Sequence, residues 1–244
     1  MGFKLLNHSL GLILGNLPQS LRLSSPLAAL LLIALIVVGP SYFVQETSPE
    51  AATQVSGQSV LLNLLVAIAT LWVAVAWHRF VLLEEYPSGV VPAFHGGRIL
   101  AYFGYGLLLA LIIALTAGVI GAIVGFALVW APILMIAGLA VVAIGASWAF
   151  YRLSPVLPSA AIGNSMKLKE AWEATKPLSG AILGAMVIYV VAIFVLMFVG
   201  ALIGGFIPIL GGVLLLFANW FYILLGISFL TTLYGVAIEG RTID

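Results

Sequence analysis

From Ile99 to Tyr151 the chain runs 53 residues without a charged side chain, and from Leu178 to Val236 it runs another 59. A helix that crosses the hydrocarbon core of a bilayer needs about 20 apolar residues, so each stretch is too long for one crossing and right for two. All nine Lys and Arg lie outside these runs, in four groups: Lys4 with Arg22, Arg79 with Arg98, Arg152 through Lys176, and Arg241. Hydrophobic residues make up 64% of the 244 positions and charged residues 7%, where an ordinary soluble domain is roughly 25% charged. So few polar groups cannot cover a water-facing surface, and lipid is the solvent this composition suits.

Two further apolar runs, Pro26 to Val44 and Val60 to Leu83, complete the set. The first long stretch breaks near Gly125 to Pro132, because proline lacks the amide that a continuing helix uses. The second breaks among Gly204, Gly205, Pro208, Gly211 and Gly212. The expectation is a single all-α membrane domain over 1–244, a polytopic transmembrane bundle of six helices. The spans fall at about 26–44, 60–83, 99–124, 131–151, 178–203 and 213–236. The loop from Gln45 to Gln58 holds Glu46 and Glu50 but no Lys or Arg, and the turns inside the two long stretches hold no charge. Cytoplasmic loops carry the excess of basic residues, so both termini are expected in the cytoplasm. Gly39-Pro40-Ser41-Tyr42 makes a poor leader-cleavage site, which favours a retained first helix.

Two segments have helical periodicity without the length to span. Over residues 3–21, Phe3, Leu6, Leu10, Ile13, Leu14, Leu17 and Leu21 recur at helical spacing among Asn7, His8, Asn16, Gln19 and Ser20. Over 168–176, Leu168, Ala171, Trp172 and Thr175 form one face and Lys169, Glu173 and Lys176 the other, with Lys169 and Glu173 spaced to pair across a turn. Both read as cytoplasmic interfacial helices lying in the headgroup plane. The spans beginning near residues 26, 99 and 178 also hint at three repeated hairpins, although interfacial aromatics and basic ends produce the same likeness without a repeat.

None of the 17 charged residues falls mid-span, and an ionisable group at depth is the usual mark of a coupled transporter or proton relay. The deepest polar side chains are Asn63, Thr70, Thr116, Ser147 and Asn219. Each can tie helices together for about 1 kcal/mol or less. Asn63 and Asn219 are also the residues best placed to line a solute path. The densest polar group is the loop cluster His78, Arg79, Glu84, Glu85, His95 and Arg98, which reads as a salt-bridged connection because its spacing matches no metal-ligand motif. There is no GxSxG, HExxH, Walker or dinucleotide-binding pattern in a fitting context. The absence of cysteine excludes disulfides and cysteine-ligated metals. No catalytic residue, cofactor or metal site is therefore expected, and the scattered basic residues give no stripe for nucleic acid. Gly121-x-x-x-Gly125, Gly180-x-x-x-Gly184 and Gly200-x-x-x-Gly204 let helix backbones approach closely.

Arg152-Leu-Ser-Pro-Val-Leu-Pro-Ser-Ala-Ala-Ile-Gly163, followed by Glu170-Ala-Trp-Glu-Ala-Thr175, resembles a pattern in bacterial six-span membrane proteins. These are the YciC-like proteins and the membrane domain attached to some glycerophosphoryl diester phosphodiesterases. The likeness covers about a quarter of the chain. It departs at Lys176-Pro177, where the pattern has a basic residue followed by glycine, and no phosphodiesterase domain accompanies it. What the resemblance implies is six helices and a bacterial inner membrane, with no hydrolase activity. The expected function on these grounds is that of a non-enzymatic scaffold or accessory subunit in membrane or envelope homeostasis, working with a membrane-protein partner or further copies of itself. The alternative is a permease for a small neutral or lipidic solute, with Asn63, Asn219 and the Gly/Pro breaks near Pro132 and Pro208 lining a path. A hydrated cavity reaching Asn219 favours the permease, and a dry, closely packed bundle favours the scaffold.

Overall fold

The computed structural model describes residues 1–43, 57–164 and 166–243. Every regular element among them is helical: α1 (Gly2–Gly15), α2 (Leu17–Leu23), α3 (Ser25–Val37), α4 (Gly57–Leu83), α5 (Gly96–Ala127), α6 (Pro132–Leu153), α7 (Val156–Ile162), α8 (Leu168–Ala174), α9 (Ser179–Phe206) and α10 (Pro208–Ala237). Short 3-10 turns occupy Pro40–Phe43 and Lys176–Leu178. Five helices are long and apolar enough to cross a membrane, and a sixth crossing arises if the bent pair α2 and α3 is counted as one.

The five long helices lie where the apolar runs place them, α4, α5, α9 and α10 two to six residues longer than expected and α6 longer by one. At about 1.5 Å per residue the 32 residues of α5 and the 30 of α10 are roughly 45 Å long, against a hydrocarbon core of about 30 Å. Their ends therefore project beyond it. The first expected span, 26–44, is shorter than the sequence implies. Its helix stops at Val37, because Gly39 takes φ +92 and Pro40 opens a 3-10 turn. The 13 residues of α3 cover only about 20 Å, and α2 meets them at 65°. The expected loop from Gln45 lies, through residue 56, outside the described residues, and Gly57 already begins α4.

The second long break also differs from the expectation. Ile207 alone interrupts the helix, Pro208 starts α10 at once, and Gly204, Gly205, Gly211 and Gly212 are all helical. A Cβ on Gly211 would stand 2.1 Å from the Gly204 Cα. These glycines serve a crossing of two backbones immediately after a tight turn. Of the three expected small-residue motifs, Gly200-x-x-x-Gly204 is the one that lies against a neighbour at both ends, Gly200 against Leu215 and Gly204 against Gly211.

Packing is concentrated at the end of the bundle that carries the basic segments. There Val73 to Phe80 of α4, nearly all of α7 and most of α10 from Leu224 to Gly235 are buried. Arg79 reaches the Ala161 carbonyl and Arg241 the Val81 carbonyl, and Arg98 lies against Gly163, which ends α7 with φ +93. All these basic residues thus share one end. At the other end, Phe126, Trp130, Ile133, Phe206 and Ile209 are more than three-quarters exposed, as side chains that face lipid should be.

The amino-terminal segment is divided where a single helix was expected. The interfacial helix expected over 3–21 is split at Asn16 into α1 and α2, and α1 has partners within the bundle. It packs on α9 and α10, burying Leu5, Ser9 and Ile13. Gly2 approaches α9 so closely that a Cβ would stand 2.6 Å from the Ala181 carbonyl oxygen. The Ser9 hydroxyl bonds Thr232 Oγ1 at 2.9 Å, and the Ser228 hydroxyl donates to the Ser9 carbonyl at 2.8 Å. Phe3, Leu14, Leu17 and Leu21 remain exposed on another face, which is the face left for lipid.

Candidate functional site

Asn63 and Asn219, 156 positions apart in the chain, line one cavity of about 520 Å³. Asn63 comes from the second turn of α4, Asn219 from the fourth turn of α10, and Met197 and Ala201 of α9 supply a third wall. The fourth wall is the 3-10 turn after α3. It places Tyr42 so that its hydroxyl donates to Asn63 Oδ1 at 2.8 Å, and it sets Phe43 edge-on to Tyr42 at 5.2 Å. All these positions lie in the half of the bundle remote from the basic residues. One or two turns further toward the basic end, Leu27, Val73 and Leu224 are wholly buried members of the main core. The cavity is an open groove in which Asn63 is exposed, with two amide groups and a phenol in an otherwise apolar lining.

Sequence reasoning put Asn63 and Asn219 on one path with the breaks near Pro132 and Pro208, which do not line this cavity, and it missed Tyr42, which it placed at the end of a span. The signal for Tyr42 was the Gly39-Pro40 pair, since those residues end the helix and turn the following aromatic inward. Thr70, Thr116 and Ser147, the other deep polar residues, do not reach this cavity. Each turns its hydroxyl back to the carbonyl four residues earlier on its own helix, which satisfies the hydroxyl locally.

The expected loop cluster divides. Arg79 binds Glu85 through Nε at 2.8 Å and through its terminal nitrogen at 2.6 Å, and His95 Nε2 meets the other Glu85 oxygen at 3.0 Å. Glu84 is exposed at φ 56, Arg98 sits instead over Gly163, and His78 is wholly buried elsewhere. One residue along a helix is a rotation of about 100°, enough to turn His78 inward while Arg79 reaches the loop. Among the described residues no group of three His, Asp or Glu is placed to hold a metal. The expected Lys169–Glu173 pair does not form among the ion pairs of the described residues. Both side chains are exposed, where such a pair contributes only tenths of a kcal/mol, and α8 is organised by Glu170 accepting from the Lys167 amide at 2.9 Å.

Two buried polar nodes hold the basic end together. His78 Nδ1 lies 2.8 Å from Thr231 Oγ1, and Nε2 lies 3.3 Å from the Tyr102 hydroxyl. Thr231 gives its own proton to the Ile227 carbonyl at 3.0 Å. Nδ1 is therefore the donor, and Nε2 accepts from Tyr102. A neutral imidazole in that tautomer satisfies all three groups and ties α4, α5 and α10. In the second node the Arg152 guanidinium lies 3.8 Å from the Trp172 ring centroid and 5.2 Å from that of Trp148. It also donates to Thr175 Oγ1 and to the Trp172 carbonyl. This clamp fixes α8 to α6, so Trp172 holds a partner within the chain in addition to its interfacial position.

The two nodes thus tie the helices to one another at the basic end. No protein family, curated protein or solved structure matches the chain. Its class is that of a helical membrane protein, as its long apolar helices show.

Proposed function

We propose that the chain is a six-span protein of a bacterial inner membrane, with both termini cytoplasmic, and that it is a permease-type protein for a small neutral or lipidic solute. The observation that carries this reading is the shared cavity of Asn63 and Asn219, whose volume of about 520 Å³ lies within the roughly 300–1,000 Å³ of ordinary ligand sites. Amide side chains can donate and accept at once, which suits an uncharged polar group better than an ion. The gathering of every Lys and Arg segment at one end supports the orientation, which places the cavity on the outward side. Leu27, Val73 and Leu224 fill the core toward the basic end, so passage in this reading requires α3 and its 3-10 turn to move against α4 and α10. The six-helix arrangement is also what the resemblance at Arg152–Gly163 implies.

A second reading, a non-enzymatic scaffold or accessory subunit, is favoured by a different observation. The outer parts of α5 and α6 stand exposed as a hairpin, a surface that a membrane-protein partner or a second copy could cover. The absence of cysteine gives a direct test, because Asn63→Cys and Asn219→Cys would each introduce the sole thiol. Both are expected to react with a membrane-impermeant maleimide applied to intact cells, and a bound solute is expected to slow the reaction. Unreactive thiols at both positions, together with a stoichiometric protein partner in mild-detergent eluates, would reject the permease reading in favour of the scaffold.

A further inference from the structure

A second, larger crevice of about 690 Å³ lies between α6 and α9, with α10 as its back wall. Its shape follows from one fixed point. The Trp148 indole donates to the Ser179 carbonyl at 3.2 Å and pins α6 to the first turn of α9. Trp172 stands edge-on to Trp148 at 5.5 Å and continues this pin into the Arg152 clamp. Beyond the pin the two helices diverge. Ile144 on one side and Val190 and Phe194 on the other are more than half exposed, although they belong to helices that cross the membrane. At the back Tyr189 lies stacked on Tyr222 at 5.5 Å and donates to the Tyr222 carbonyl at 2.9 Å, while Tyr151 meets Phe229 edge-on at 5.3 Å.

We infer that this crevice holds one acyl chain of a phospholipid, retained as a structural lipid that wedges the α5–α6 hairpin against the rest of the bundle. Three observations converge on that occupant. The crevice opens sideways along two apolar spans, so hydrocarbon and not water adjoins it. Its walls are mainly apolar, the Ser147 hydroxyl being committed to the Ala143 carbonyl at 2.9 Å and the Tyr189 hydroxyl to the Tyr222 carbonyl, with the Tyr151 and Tyr222 hydroxyls the remaining polar groups. The crevice is open along its rim, where Ile144, Val190 and Phe194 are exposed, and the span from Leu183 to Phe194 is about 17 Å, a length that an extended acyl chain can follow. A chain lying between Leu183 and Phe194 replaces the side-chain wall that α6 would otherwise need from a neighbouring helix. This site is separate from the Asn63–Asn219 cavity and does not depend on the role given to that cavity.

The experiment is lipid phosphorus and native mass spectrometry on the full chain after extensive washing in a mild detergent. Wild type is expected to keep a single phospholipid. Val190→Trp, which places an indole in the crevice, is expected to lower retention about tenfold, because an overfilled site has no room to relax. Val141→Trp, on an exposed part of α6 outside the crevice lining, is expected to retain lipid as wild type does. Ala143→Phe fills the crevice from the other wall and serves in place of Val190→Trp should that protein elute as an aggregate. A lipid-free wild type, or equal retention by well-folded crevice-filled and control variants, would overturn the assignment.

Discussion

Substituting the glycines at the α9–α10 crossing should give opposite results at positions that sequence alone treats as equivalent. Alanine in a helix interior is favoured over glycine by roughly 0.5–1 kcal/mol. Gly205→Ala, where a Cβ would meet nothing within 4 Å, should therefore be neutral or stabilising by up to that amount. Gly204→Ala should behave similarly, since its Cβ would approach the Gly211 Cα at an ordinary 3.5 Å. Gly211→Ala is different. Its Cβ would lie 2.1 Å from the Gly204 Cα, 2.5 Å from the Gly204 amide nitrogen and 3.1 Å from the Gly200 carbonyl oxygen. These are backbone atoms, so no rotamer change relieves the overlap and the helices must part. Overpacking costs about 1–3 kcal/mol even where side chains can shift, which outweighs the propensity gain and leaves a net loss of at least about 1 kcal/mol. Reversible SDS titration of the detergent-solubilised protein, followed by circular dichroism, measures each difference. Equal stability of Gly211→Ala and wild type, or an equal loss in Gly204→Ala, would refute the close crossing.

The buried nodes give further tests in the same assay. Thr231→Val keeps the shape but removes the acceptor of the His78 Nδ1 proton, and leaving that group unpaired should cost about 1–3 kcal/mol. Tyr102→Phe should cost less, since its hydroxyl meets Nε2 at the longer distance of 3.3 Å. Arg152→Lys keeps the charge but loses the planar stacking on Trp172. It is expected to free α8, seen as faster proteolysis around Lys167 and Lys169 and a red-shifted tryptophan emission. Unchanged cleavage would refute the clamp. Asn63→Ala, at an exposed site, should change stability by less than about 1 kcal/mol while weakening solute protection at Asn219→Cys.

The positions of the long helices were legible because a lipid-facing helix must be apolar on almost every side, which leaves uncharged runs that can be measured directly. The same uniformity hid what lies between them. Nothing in the α10 sequence distinguishes Ser228 and Thr232, which bond α1, from outward-facing residues of similar polarity. Leu5, Ser9 and Ile13 lie on a face less obvious than the exposed stripe of Phe3, Leu14 and Leu17, so the periodicity located a helix but not the helices it packs on. His78 was grouped with Arg79 by adjacency, although their helical phases point apart. In the candidate site, Asn63 and Asn219 stood out as amides in apolar surroundings. Their meeting in one cavity, and the part of Tyr42, depend on a helix end and a turn that composition does not encode.

The bonds between Ser9 and Thr232 and between Trp220 and Ser24 join residues 223 and 196 positions apart. A segment made early in synthesis therefore finds its docking surface on a helix made much later. Until α10 has been inserted, Ser9 and Ser24 have no partners there, and the short α3 has only part of its final support against α4. Assembly of this bundle is consequently a closing event, in which α10 secures helices that were inserted well before it. Loss of α10 would release α1 and the start of α3 together.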